Sequence, residues 1–333
     1  MDLDLRNRKL EGEFKKHLTN SELEGLFGID NFELLGPSLR ASDLFYVYLD
    51  TLICLQQKAK SVFVLGDIYF LKSLATKDQS VRREAAFSNL FFWCAERDFS
   101  LIGYYLKLPL LNKNFYSPKI GESFSIDLPY LEQDTLRKEH FKRSKSLLER
   151  NSLVFQELNY SDHQELHHQF FNHFIKSKSY PKIEFLLSTK ENLNELSRYK
   201  RMFVFKDGEE VVTILSGFQY SNGFYVDLVM SKPSAKQKSL NSQILLNLSR
   251  LLEAEGFKWS YLGLCPYVNL ESDSPIGLRL LKKFKLHYNW EKLQLFKSRN
   301  SNRNDPRFLL LDRRKNSSLQ LYKLAKNSLN FRI

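Results

Sequence analysis

The chain has 333 residues and a mass of 39.3 kDa, long for one compact core, which sets an expectation of two domains. Hydrophobic residues make up 43% and charged residues 26%, with few glycines and prolines, so collagen-like and disordered classes are excluded. The formal charge of +12 lies wholly in residues 279–333, where 15 Lys and Arg face only Glu291, Asp305 and Asp312; such a field attracts a polyanion, with a solubilising surface as the plainer alternative.

Residues 1–35 read as helical, with Leu10, Phe14, Leu18, Leu23 and Leu26 at roughly helical spacing, and residues 36–43 read as a turn. Residues 44–55 (LFYVYLDTLICL) fit a strand or a buried helix, and their period does not decide between the two. Residues 61–67 (SVFVLGD) form an apolar run ending in Gly-Asp, as a buried strand entering a loop does. Val81, Ala85, Phe87, Leu90, Phe91 and Cys94 follow on a helical stripe, and residues 99–108 form the next strand, giving a strand, helix, strand unit.

Residues 119–131 are strand-like, residues 135–150 form a basic helix, and residues 153–158 open a second pass with the same order. That pass holds a helix at 163–178 and strands with turns at Asp207-Gly208 and Asn222-Gly223. An amphipathic helix stopping at Gly256 and a buried strand from Trp259 complete it. The recurrence predicts two similar α/β domains, 1–155 (with 1–35 as a helical extension) and 156–333 (with the basic segment), although no residue-level repeat is present.

The longest uncharged stretch, residues 211–226, contains Ser216, Gln219, Ser221 and Asn222 and falls short of the ~20 apolar residues of a membrane span. The first residues carry no apolar stretch behind a basic start, so no signal peptide is expected and the cytoplasm is the expected address. Cys54, Cys94 and Cys265 form no CxxC pair and are expected as reduced, buried thiols. His163, His167, His168 and His173 share one helix, but without a second ligand cluster a solvated polar face is the expectation and no metal is assigned.

The strand, loop, long-helix order of the second half is that of a GNAT-type acyltransferase. Enzymes of that kind cradle a pyrophosphate on backbone N–H groups at a Gly-rich helix start. Residues 231–243 (SKPSAKQKSLNSQ) contain no glycine, so coenzyme A is not expected, and no cofactor is assigned. Lys232, Lys236 and Lys238 form a basic loop there that could meet an anionic group. Residues 288–297 are a dense aromatic and charged block whose plainer reading is an edge strand packing Tyr288 and Trp290 inward.

On these residues the chain resembles the C-terminal domain of phosphatidylglycerol lysyltransferases and their soluble relatives. The matching elements are Asp227-Leu228, Pro233, LGLCP (262–266), YNWEKLQLFK (288–297) and DPRFLLL (305–311), with SVFVLGD and KIGESFSIDL in the first half. The resemblance spans about residues 35–311. It implies two tandem GNAT-like domains and transfer of an aminoacyl group from an aminoacyl-tRNA to a lipid or other hydroxyl acceptor, without coenzyme A.

It implies catalytic roles for Asp227, Glu291 and Lys297, a substrate contact for Arg307, and as partners an aminoacyl-tRNA and an anionic phospholipid surface; Lys238, Arg299 and Arg303 are expected as further substrate contacts from their basic charge. Peripheral attachment at the inner face of the membrane is part of that implication. The chain departs from the family pattern at Met230, where the family has arginine, at Lys238, where it has glycine, and at Asn241, where it has an acidic residue. These departures define the alternative, a non-catalytic GNAT-like protein that binds an anionic ligand, nucleic acid or partner protein.

Overall fold

A computed structural model describes residues 12–19, 21–22, 42–70, 76–110, 112–128, 146, 150, 153–178, 199–219, 222–232, 239–266, 269–270 and 290–330. In chain order it contains β1 (Glu13–Lys15), β2 (Leu44–Tyr48), β3 (Thr51–Lys58), β4 (Ser61–Phe70), α1 (Thr76–Glu96), β5 (Ser100–Leu106), β6 (Phe115–Tyr116) and β7 (Lys119–Asp127). There follow β8 (Val154–Leu158), α2 (Gln164–Lys178), β9 (Lys200–Asp207), β10 (Glu210–Gln219), β11 (Gly223–Ser231), α3 (Leu240–Ala254), β12 (Trp259–Pro266), α4 (Trp290–Arg299), β13 (Arg303–Asp312) and α5 (Ser317–Asn330).

The chain divides into two compact units, Met1–Ile120 with Arg307–Asn327, and Gly121–Pro306 with Ser328–Ile333. The path therefore crosses between units near residues 120 and 306 rather than at one point near 155. The local strand, helix, strand pattern carries no information on which unit a flanking strand joins, so β7 and the end of β13 could not be assigned from it.

In the first unit β1 to β4 form an antiparallel meander, β5 lies parallel to β4, and the end of β13 pairs antiparallel with β5. Residues 44–55, ambiguous by period, are two strands turning at Leu49 in the left-handed region. A parallel neighbour needs a crossover, and α1 supplies it. Ala86, Phe87, Leu90, Phe91 and Cys94 form its buried stripe against Ile53, Val62, Val64 and Leu101. The helix stops where Asp98 turns left-handed and the Phe99 amide bonds back to the Cys94 carbonyl at 2.8 Å.

Residues 1–35 are not helical throughout, because Phe14 lies in β1, its ring 4.5 Å from Trp93 and 4.9 Å from Tyr46. Among the described residues of this stretch a helix start is marked at Thr19, whose hydroxyl and amide exchange bonds with Glu22 as a capping box.

The second unit repeats the order. β8 to β11 are antiparallel, α3 crosses over to β12 parallel to β11, and β7 closes against β12 antiparallel. The turn after Asp207 is as expected, with Gly208 at φ +58°. One face of this sheet packs Phe203, Phe205, Leu215 and Phe224 under Ile244, Leu245, Leu248 and Leu252 of α3. The other packs Met202, Val204, Ile214 and Met230 under Phe170 and Phe171 of α2. Of the edge strand expected at 288–297, Tyr288 and Asn289 lie outside the described residues and 290–297 belong instead to α4, because Leu293 and Phe296 are spaced to reach the core together from one helical face.

Candidate functional site

The parallel pairing of β11 with β12 covers only Gly223 with Trp259, Phe224 with Ser260 and Tyr225 with Tyr261. Beyond these residues the strands run on to Ser231 and Pro266 with no further registered pair among the described residues. Each strand also bulges where the two part. Opposite β10, Ser216 faces Leu228 and Gly217 faces Val226, leaving Asp227 as the extra residue; opposite β7, Leu262 is extra between Tyr261 and Gly263. Bulges re-aim side chains and release the ladder. The two strands thus part beyond Tyr225, beside Gly263.

Lys297 enters this opening from α4. A Cβ built on Gly263 would stand 3.3 Å from Lys297 Nζ and 3.6 Å from Tyr225 Oη, and Gly263 sits at φ +85°, which side chains rarely tolerate. Burial disfavours the Lys297 ammonium and lowers its pKa to about 8, the Cys265 thiol raising it slightly against that trend. Burial pushes the Cys265 thiol up to about 11, with the Lys297 charge opposing and Glu122 adding to the rise. Cys265 stands opposite Glu122 in register, and Asn304 Nδ2 donates to Glu122 Oε2 at 3.0 Å.

Asp227 is held by Lys200, whose ammonium lies 3.3 Å from Asp227 Oδ2 and 4.5 Å from the ring centre of Tyr160. Phe218 faces the same ammonium at 5.6 Å. Behind Tyr160, the fully buried His167 places Nε2 3.0 Å from Ser216 Oγ, beside the bulge. His167 is therefore a core residue and departs from the solvated face expected of the histidine helix, since it points at the sheet rather than outward. No group of three His, Cys, Asp or Glu able to hold a metal occurs among the described residues.

The other expected site residues are dispersed. Glu291 is exposed in the first turn of α4, and six residues place it about 240° around the helix from Lys297. Arg299 ends α4 exposed, and Arg303 is exposed on β13 with Asp305 at 3.0 Å. Arg307 is 2% exposed and belongs to the first unit. Lys238 lies outside the described residues. Sequence reasoning missed Tyr225, Gly263 and Lys200; a glycine inside a strand pattern was the available signal for the bulge.

No family model and no curated protein matches the sequence. Among solved structures, the chain is similar to the C-terminal domain of a protein named as a lysylphosphatidylglycerol synthetase from Agrobacterium fabrum, with 14% identity and a TM-score of 0.72, covering 93% of this chain and 95% of that one. It is similar to L-PGS from Bacillus licheniformis, with 14% identity, a TM-score of 0.67, and 89% and 92% coverage. FemX is more distant, with 8% identity, a TM-score of 0.55, and 94% and 99% coverage. Among the described residues no helix is long and apolar enough to cross a membrane. Over nearly its whole length the chain carries the mixed α/β fold of these lysylphosphatidylglycerol synthetase structures.

Proposed function

We propose that the protein is an aminoacyl-tRNA-dependent aminoacyl transferase that uses no acetyl-CoA and passes the aminoacyl group to the hydroxyl of a lipid or related acceptor. The observation that carries this reading is the enclosed Lys297 ammonium beside Gly263, in the one place where β11 and β12 part, in a fold shared with lysylphosphatidylglycerol synthetases. An aminoacyl ester is already activated, so the protein must position donor and acceptor and stabilise developing negative charge. Lys297 is proposed to meet that charge and Asp227 to orient the acceptor hydroxyl. Arg299 and Arg303, both exposed, are proposed to contact tRNA phosphates, and Lys238 is proposed to do so from its charge alone. An anionic phospholipid surface is the proposed source of acceptor, reached peripherally from the cytoplasmic side.

The test is incubation of the purified chain with charged lysyl- or alanyl-tRNA and phosphatidylglycerol, tracing the amino acid into lipid. Transfer that is lost in Lys297→Ala supports the reading. The near-complete burial of the Asp227 carboxylate, 1% exposed against Lys200, favours a second reading, a non-catalytic binder of an anionic ligand. Absence of transfer across a panel of charged tRNAs and hydroxyl acceptors, with tRNA still bound, would decide for the binder.

A further inference from the structure

Resting on the part of the transferase reading that names an anionic phospholipid surface, we propose that α5, with the turn between β3 and β4, is the face by which the chain docks on an anionic phospholipid bilayer. Two large apolar side chains stand out from α5 on its solvent side: Leu319 is 52% and Tyr322 63% exposed. With Lys323 they occupy one helical face, since residues three and four apart lie side by side. On a helix whose other side is already packed into the core, such an adjacent pair marks a surface that another apolar environment covers.

The helix is not free to roll and hide the pair. Gln320 is buried, its Nε2 donates to the carbonyls of Asp312 and Lys315 at 2.7 and 3.1 Å, and its Oε1 accepts from the Asp312 amide at 2.8 Å. Leu321 and Leu324 are buried on the same inner side. Turning the helix would strand the buried amide and expose both leucines, so Leu319 and Tyr322 stay outward.

The charge around the pair says what covers it. Lys323 Nζ donates to Ser61 Oγ at 3.1 Å, which brings α5 beside the turn between β3 and β4 and its exposed Lys60. Asp98 lies 3.6 Å from the Lys60 ammonium and also pairs with Lys315, so three ammoniums stand against one carboxylate. The adjacent Glu96 and Arg97 pair with each other at 3.3 Å and leave that balance unchanged, and α5 itself contains no acidic residue. An anionic bilayer is attracted to such a face, each lysine near it adding roughly a fivefold gain in partition. An RNA would meet the lysines and stack on Tyr322, yet gain nothing from Leu319. A leucine one turn from a tyrosine, rimmed by lysines, suits the boundary between headgroups and acyl chains, where tyrosine rings and lysine stems both settle.

The experiment is co-sedimentation of the full chain with vesicles of phosphatidylglycerol in phosphatidylcholine, and of phosphatidylcholine alone, at low and high salt. Binding is expected to the anionic vesicles alone and to weaken as salt rises. Leu319→Ser with Tyr322→Ser is expected to lower partition ~10-fold or more, through lost apolar burial. Lys60→Gln with Lys323→Gln is expected to lower it about 25-fold at low salt. Unfolding midpoints should stay in place, since these side chains lie at the surface. In Tyr322→Trp, phosphatidylglycerol brominated on its acyl chains is expected to quench emission beyond the quenching of the unmodified chain. Partition unchanged in the Leu319 and Tyr322 variant, or no added quenching, overturns the docking face; loss of tRNA binding in that variant with vesicle binding intact overturns it too. Docking through this face without any aminoacyl transfer supports the proposal while overturning the transferase reading. Transfer to phosphatidylglycerol by a chain whose Leu319 and Tyr322 variant docks as before overturns the face and leaves that reading standing.

Discussion

The Asp227 carboxylate and the Lys200 ammonium lie 3.3 Å apart with 1% and 5% of their side chains exposed, so a buried ion pair pins the bulge of β11. The first unit has a counterpart. Between the pairs Ile53 with Ile68 and Leu55 with Val64, residues 65–67 of β4 stand opposite Cys54 alone, and Asp67 in that bulge pairs with Arg83 at 2.9 Å. Both units thus set a carboxylate in the bulge of the strand that leads into the crossover helix.

The two pairs differ in what surrounds them. Asp67 accepts from Arg83 Nε and Nη2 and from the amides of Ile68 and Lys107, a saturated structural anchor. Lys200 instead meets Asp227 through one oxygen and two aromatic rings. Removing one partner of a buried pair leaves an uncompensated charge, at a cost of ~3–5 kcal/mol. Lys200→Met is expected to lower urea-unfolding stability on that scale, and Lys200→Met with Asp227→Leu to recover most of it. A single variant as stable as the unmodified chain would contradict the anchoring of the bulge.

Asp67 also makes acid stability testable. Burial pushes its carboxyl up, but the Arg83 charge and the hydrogen bonds outweigh that and hold it below the usual range. A depressed folded pKa contributes stability that is present above the unfolded value near 3.8 and is lost as pH falls through the folded value. Asp67→Asn should therefore narrow the gap in stability to the unmodified chain as pH is lowered below 4, while leaving transfer at pH 7 unchanged in any variant that folds. Unfolding curves at pH 3 to 7 and the lipid-transfer assay check the two halves.

Much of the scaffold was legible because hydrophobic periodicity reports local structure: β4, α1, β5, β7 and the run from β8 to β12 follow their patterns. The helix over 1–35 failed at Phe14, since a five-position apolar spacing is satisfied equally by a strand that packs one aromatic on Trp93 and Tyr46. Residues 288–297 misled in the opposite sense, their aromatics suggesting a strand where Leu293 and Phe296 drive a helix. Of the proposed site, Asp227 and Lys297 are named only through the family resemblance. Tyr225 and Lys200 are not named at all, because their places come from register and bulges, which local pattern does not encode.

Met230 replaces an arginine of the resembled family, and its place in the fold explains why the chain keeps it. It is fully buried among Phe170, Phe171, Met202, Val204 and Ile214. Met230→Arg would force a guanidinium into this apolar cluster, so it is expected to lose several kcal/mol of stability and to gain no transfer activity. A folded Met230→Arg variant with higher kcat would show instead that the position faces the substrate.

Lys297 predicts opposite pH trends for activity and stability. With its pKa lowered to about 8 by burial, the ammonium needed for charge stabilisation is lost as pH rises through about 8, and kcat should fall there. Between about 8 and the ordinary value of 10.5 the unfolded chain binds the extra proton, so this group makes stability increase with pH in that window. Lys297→Met should abolish transfer, raise stability at pH 7 by about 1 kcal/mol or more, and flatten that increase, as urea titrations at pH 7 to 10 would record.

The basic C-terminal segment is expected to split into two functional classes. Arg314 donates to buried Asp312 at 3.0 and 2.6 Å and to the Phe99 carbonyl at 3.1 Å, with its guanidinium 4.4 Å from the Phe91 ring centre. Arg313 donates to the Phe115 carbonyl at 2.8 Å and Lys315 pairs with Asp98, so these three cations are committed to the first unit. Arg299 and Arg303 are exposed at the end of α4 and the start of β13, available to phosphates. Each phosphate contact removed lowers the slope of log affinity against log salt by about one, without touching the fold. Neutralising Arg299 and Arg303 together is thus expected to reduce the slope for tRNA binding by up to ~2 and leave the unfolding midpoint in place, whereas Arg314→Ala exposes the chain to the cost of a stranded Asp312, about 3 kcal/mol. Filter binding across a salt series, read beside thermal unfolding of the same variants, separates the classes; an unchanged salt slope in the Arg299 and Arg303 variant would remove this surface from tRNA recognition.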